Sequence, residues 1–134
     1  MMVNKRWKYS KTCVHNVAYH LIWCPKYRRK ILIDTIAKDL RELLKLKAKE
    51  LDVEIDDMTV MPDYVDLFVN ANPTAAPHWI VRQLKAYTSH QLREKYPELK
   101  SRIPTLWTRS YYCESIGHIS EDRIKKYIKE QKGK

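Results

Sequence analysis

Hydrophobic and polar positions along the chain follow two periods. Val14 to Cys24 is rich in Val, Tyr, Ile and Trp and is stopped by Pro25, which predicts a strand. Between Asp34 and Leu51, the residues Ala37, Leu40, Leu44, Ala48 and Leu51 recur at spacings of three and four, with Lys and Glu opposite, which predicts an amphipathic helix. Val53 to Val60 reads as a short strand, Met61-Pro62-Asp63 as a turn, and Tyr64 to Asn70 as a further strand. Asn72-Pro73 and Pro77 break the pattern before a second helix from His78 to Tyr96. Its inner side is either Ile80, Leu84, Tyr87 and Gln91 or Val81, Leu84 and Leu92. A fourth strand lies between Leu106 and Ser115, and Gly117 forms a joint before a last helix from Glu121. Ser120 suits its N-cap, Glu121 and Asp122 its positive dipole end, and Ile119 with Ile124 a hydrophobic staple.

This order predicts an α+β, ferredoxin-like βαββαβ fold: an antiparallel sheet with helices on one face, plus a C-terminal helix. The second sheet face is left available for a ligand or partner. The length suits one domain over residues 1–134, with a basic N-terminal arm over 1–12 and the last helix over 118–134.

Composition narrows the partners. Twenty-six Lys and Arg against sixteen Asp and Glu give a formal charge of +10, which suits a polyanion such as nucleic acid. Only two glycines occur, Gly117 and Gly133, so a glycine-rich phosphate loop is excluded and no nucleotide cofactor is expected. Cys13, Cys24 and Cys113 lack the spacing of a zinc site or disulfide scaffold and read as incidental or buried thiols. No apolar run is long enough to span a bilayer, and the basic N-terminus has no apolar segment behind it, so a cytoplasmic location without membrane contact is the expectation.

Alternation along Tyr64 to Asn70 puts Val65, Leu67 and Val69 toward the helices and Tyr64, Asp66, Phe68 and Asn70 on the other face. Asp66 there is either a site carboxylate or the ion-pair partner of a Lys or Arg on a wet sheet. In the last helix Tyr127 and Gln131, four residues apart, share a face with Ile124 and Ile128 beside them, and on spacing alone a core aromatic is the better reading of Tyr127. His15, His20, His78, His90 and His118 are not spaced as a metal cluster; His20 is on the first strand and could lie near the site, though a structural role is the expectation.

Five segments in order carry a resemblance to a family: Trp23-Cys24-Pro25-Lys26-Tyr27-Arg28-Arg29, Met61 through Val69, Ile80 through Lys85, Leu106-Trp107 through Tyr111 to Gly117, and Tyr127-Ile128-Lys129-Glu130-Gln131. The chain resembles single-tyrosine transposases of the insertion-sequence two-hundred/six-hundred-five type, a branch of the HUH endonucleases. The resemblance implies a homodimer that binds DNA hairpins at mobile-element ends and cleaves single-stranded DNA through a covalent 5′-phosphotyrosine. It makes Tyr127 the nucleophile and Gln131 a ligand of a divalent ion, Mg²⁺ or Mn²⁺, with the tyrosine helix commonly completing the partner's site across a joint at Gly117.

The family's two metal-binding histidines fall at Tyr64 and Asp66. A carboxylate is a good ligand for a hard cation and a protonated phenol a poor one, so Tyr64 is a weak candidate. Either the site is now oxygen-rich, served by Asp66 and Gln131, or the chain binds hairpins without cutting. For DNA contact, Lys26, Arg28 and Arg29 with Tyr27 as a stacking ring form one candidate surface, and Arg82, Lys85 and Arg93 on the second helix another. An RNA-binding ferredoxin-like domain is the third reading, since Tyr64 and Phe68 share a face.

Overall fold

The computed structural model describes residues 8–9, 14–15, 17–72, 74–101, 103–116 and 129. The expected last helix with Tyr127 and Gln131, the Gly117 joint, Cys13 and His118 lie outside these, as does most of the N-terminal arm. In chain order the elements are β1 (Lys8–Tyr9), β2 (Val14–His15), β3 (Val17–Trp23), a short 3₁₀ turn (Lys26–Arg28), α1 (Asp34–Glu50), β4 (Glu54–Met61), β5 (Tyr64–Ala71), α2 (Pro77–Lys95), α3 (Glu98–Ser101) and β6 (Tyr112–Ser115). β1 and β2 pair with each other, and the main sheet runs β4-β5-β3-β6 with every neighbour antiparallel. That is the ferredoxin-like order expected from the sequence. Among the described residues no helix is long and apolar enough to cross a membrane.

Alternation decides which way the sheet faces. Tyr19, Leu21 and Trp23 of β3 and Val65, Leu67 and Val69 of β5 are buried in one core with Leu40 and Leu44 of α1 and Ile80, Leu84 and Leu92 of α2. The buried stripe of α2 is Ile80, Val81, Leu84, Thr88 and Leu92, with Tyr87 half-buried and Gln91 exposed, so of the two expected stripes the one through Val81 and Leu92 faces the core. The two helices are also joined at the rim, where Lys95 and Tyr96 bond Asp39 and hold its carboxyl below the usual range, the Lys95 bond first.

α1 ends in a left-handed residue. Asp52 has φ 58°, its amide donates to Lys49 O and the Val53 amide to Ala48 O, closing the helix with the paired bonds that usually accompany a glycine. With only two glycines in the chain, an aspartate carries this conformation instead.

The last strand is shorter than the sequence suggests. Only Tyr112–Ser115 pairs with β3, while the Leu106–Ser110 stretch takes another path. Pro25, which has no amide proton, ends β3, and the chain beyond it is met by Leu106 to Thr108: Lys26 N donates to Leu106 O and Thr108 N to Cys24 O. Trp107 inserts into the core edge-on to Trp23, and its indole N–H donates to Thr88 Oγ1 at 3.1 Å. Thr88 in turn donates to Leu84 O, so this buried hydroxyl serves both the helix and the indole.

Two stability predictions follow from these contacts. Asp52→Gly raises the unfolding free energy by about 0.5–1 kcal/mol by relieving the left-handed conformation. Thr88→Val keeps the side-chain volume but leaves the Trp107 N–H unpaired in the core, and lowers it by about 1–3 kcal/mol. Urea unfolding of each variant against the parent measures both.

Candidate functional site

The candidate site lies on the second sheet face. In the β3–β5 pairing, Ile22 lies opposite Asp66 and His20 opposite Phe68, so His20 and Asp66 are diagonal neighbours on that face. His20 Nε2 donates to Asp66 Oδ1 at 2.7 Å. The imidazole stacks on Phe68, with ring centroids 4.3 Å apart and planes within 6°, and meets Tyr112 of β6 edge-on at 5.8 Å. His20 is buried, whereas the Asp66 side chain keeps 29% of its surface exposed. Among the described residues Asp66 is therefore partnered by a histidine, rather than by the Lys or Arg that the sequence allowed.

This face is less open than alternation alone suggests. Ala18, His20, Phe68 and Asn70 are all buried although they point away from the helices. Phe68 is only 5% exposed and one of its ring faces is covered by His20, so it is no platform for a base. That removes one of the paired aromatics on which an RNA-binding reading rested. Tyr64, at the start of β5 on the same face, is half-buried.

At the end of the sheet beside Asp66 lies the basic turn. Arg28 Nη2 donates to Asp63 Oδ2 at 2.8 Å, and Leu32 N donates to Pro62 O, so the segment after β3 is fastened to the β4–β5 turn. Tyr27 and Arg28 both have positive φ, 61° and 50°, a sparsely populated conformation for residues with a Cβ. The Tyr27 ring stands 65% exposed with Lys26 Nζ 5.4 Å from its centroid, and Arg28, Arg29 and Lys30 are exposed around it. An aromatic face ringed by cations is what a single strand offers contacts to, through its bases and its phosphates.

The second candidate surface is placed differently. α2 packs on the opposite face of the sheet, so Arg82 and Lys85 are not brought together with Asp66 and His20. Arg82 is exposed, but the Lys85 ammonium bonds the carbonyl of Thr108 at 2.6 Å and those of Ser110 and Arg109 at 3.4 and 3.5 Å. Burial pushes that ammonium below its ordinary value, and it works as a tie between α2 and the approach to β6. Arg93 similarly reaches Ile103 O at 3.5 Å.

Among the described residues no three His, Cys, Asp or Glu side chains converge as a metal-binding group, so the described part of the site offers one carboxylate with a histidine behind it. That donor set suits a hard cation that keeps several waters and takes further oxygens from a substrate phosphate, as Mg²⁺ does; it does not suit a closed cage. The structure brings His20 to Asp66, the alternative to a purely structural role that the sequence left open. The position of His20 in β3, two residues from Ile22, puts it on the Asp66 face once the register of β3 against β5 is known, and that register is not visible in either strand alone. Cys24 and Cys113 are half-buried free thiols, and burial raises the Cys113 thiol above its ordinary value.

Comparison with known proteins gives a consistent result. ISDra2 transposase TnpA of Deinococcus radiodurans is 34% identical over 129 residues, covering 95% of this chain and 92% of that protein. The transposase for insertion sequence element IS200 of Salmonella typhimurium is 25% identical over 118 residues, 87% of this chain and 77% of that one. Among solved structures, a protein of Deinococcus radiodurans R1 assigned as a transposase superposes with a TM-score of 0.76 at 32% identity, over 92% of this chain and 97% of that one. A REP-associated tyrosine transposase bound to a REP hairpin shares the fold, with a TM-score of 0.61 at 14% identity over 89% of this chain and 67% of that one. The profile of the IS200-like transposases matches residues 13–131, nearly the whole length described above, and the chain belongs to that family.

Proposed function

We propose that this transposase cleaves and rejoins single-stranded DNA at mobile-element ends, with Tyr127 as nucleophile and a divalent ion, Mg²⁺ or Mn²⁺, held by Asp66 and Gln131. The observation that carries this reading is the extent of the family match, which takes in Asp66, Tyr127 and Gln131 in one continuous span. The half-exposed setting of Asp66 at the sheet end beside the basic turn supports it. The hairpin bound by the REP-associated relative supports hairpin DNA as the substrate, and the +10 charge supports a polyanion in general. Two copies act together in this reading, the tyrosine helix of one completing the site of the other.

The reaction needs no nucleotide. The Tyr127 oxygen attacks phosphorus, the bond from phosphorus to the 3′ oxygen breaks, and the departing strand gains a proton to become a 3′-hydroxyl. The 5′ phosphate is left on the tyrosine. In rejoining, a 3′-hydroxyl attacks that phosphate, the bond to tyrosine breaks and the phenol recovers its proton. A bound divalent ion would polarise the scissile phosphate and stabilise developing charge. Asp66 would hold the ion from the sheet, while Lys26, Arg28 and Arg29 bind the backbone and Tyr27 stacks on a base.

One observation favours a second reading, in which the chain recognises hairpins without cutting them. Tyr64 stands where the resemblance expects an imidazole.

A covalent-trapping assay separates the two. The protein is incubated with labelled single strands from the flanking DNA and Mg²⁺ or Mn²⁺, once hairpin binding has been shown by gel shift, and resolved on a denaturing gel. A slow-migrating adduct is expected that vanishes with Tyr127→Phe or with chelator, and that Asp66→Ala lowers by at least about 10-fold. Binding with no adduct, and cleavage gained by Tyr64→His with Asp66→His, establishes the second reading instead.

A further inference from the structure

The proposal concerns His20, the residue behind Asp66. Its imidazole is held on three sides. Phe68, directly opposite across β3–β5, lies parallel to it at 4.3 Å; Tyr112, from β6, abuts it edge-on at 5.8 Å; and Asp66 accepts from its Nε2 at 2.7 Å. Its Nδ1 is buried with no hydrogen-bond partner among the described residues. A histidine kept only to fill space would be replaced by an apolar ring at no loss, since an unpartnered buried nitrogen is a cost. Among the described residues, the polar contact that offsets this cost is the bond to Asp66.

That bond has a directional consequence. Two aromatic rings from the strands on either side fix the plane of the imidazole, so the Nε2–H points in one direction and claims one carboxylate oxygen. The carboxylate can then no longer turn freely about its last bond, and its second oxygen is set by the position of the first. His20 is buried while Asp66 keeps 29% of its side chain exposed, so the histidine acts from beneath and the carboxylate meets solvent. Hydrogen bonds of this kind to a ligating carboxylate commonly orient it and strengthen its hold on the metal.

We propose that His20 is a positioning residue for divalent-ion binding, acting through Asp66: its Nε2–H fixes Oδ1 and so presents the other carboxylate oxygen to the ion. The inference rests on the reading of Asp66 as a ligand. It compensates in part for the Tyr64 and Asp66 replacements, since a single carboxylate from this strand must be well oriented to serve where two side chains would otherwise share the task.

The test uses the full chain and Mn²⁺ alone, with free Mn²⁺ followed by electron paramagnetic resonance. His20→Phe keeps a ring between Phe68 and Tyr112 but removes the donor. His20→Gln places an amide nitrogen near the position of Nε2. The expected result is a 10–100-fold weaker Mn²⁺ affinity for His20→Phe, a range of about the size seen for other outer-shell partners, with His20→Gln within about 3-fold of the parent. Thermal unfolding of both variants shows whether the fold is kept. If Asp66→Asn weakens Mn²⁺ binding and His20→Phe does not, the positioning role is overturned and Asp66 stands as a ligand. Equal weakening by His20→Phe and His20→Gln also overturns it, because the effect would not pass through the Nε2 donor. If Asp66→Asn leaves Mn²⁺ affinity unchanged, the reading of Asp66 itself fails and this inference with it.

Discussion

The pairing of β3 with β5 is the constraint on which the rest of the structure depends. These are the two central strands of the sheet, and their register sets Ile22 opposite Asp66 and Leu21 opposite Leu67. Because side chains alternate, a slip of one residue would turn Val65, Leu67 and Val69 to the outer face and drive Asp66 and Phe68 against α1 and α2. A carboxylate forced into that core without a partner is far too costly to persist. The apolar residues of β5 thus lock the register for reasons of packing. The same lock delivers His20 to Asp66, so the geometry of the site is a by-product of the core.

The chain's shortage of glycine imposes a second condition. Among the described residues, Tyr27, Arg28, Asp34 and Asp52 adopt positive φ without being glycine. Each such residue costs on the order of 1–3 kcal/mol and persists only where its surroundings over-determine it. Around Tyr27 and Arg28 those surroundings are visible: the Arg28 bond to Asp63, the Lys26 amide on Leu106 O, and Pro25 with its fixed backbone angle. The result is a turn held rigid with its aromatic side chain outward. A backbone already held in place would lose little freedom if a strand bound there, which would favour binding over a flexible basic loop of the same charge.

Much of this was legible in the sequence, for a physical reason. Helix α1 and strands β4 and β5 announce themselves by strong periods, and their observed bounds lie within a residue or so of those expected. The last strand was overextended because Leu106, Trp107, Tyr111 and Tyr112 have strand-like composition, while the competing contacts of Trp107 with Thr88 and of Lys85 with three carbonyls are long-range and leave no local signature. Lys85 read as a surface cation for the same reason: spacing alone cannot tell a solvated ammonium from one bonded to backbone oxygens. His20 stood on the correct strand, yet its partner lies 46 positions away and depends on inter-strand register. Asp66 was visible through alternation alone.

In the proposed function, where the resemblance sets a histidine at position 66, the carboxylate found there would change the electrostatics of the site in a way that bears on how DNA could approach it. A neutral imidazole beside a phosphate is electrostatically indifferent, whereas a carboxylate and a phosphate about 4 Å apart repel by about 4 kcal/mol at an effective dielectric near ~20. The hydrogen bond from His20 orients Asp66. In that reading the cations of the Lys26–Arg29 turn would draw the strand toward the sheet end and bring backbone phosphates near the carboxylate, which sharpens the conflict. A divalent ion held by Asp66 would add attractions to both anions that outweigh their remaining repulsion. Cleavage chemistry at this face would accordingly lean on the metal more heavily than a histidine-lined site does, because here the ion would be needed for the phosphate to arrive as well as for it to react.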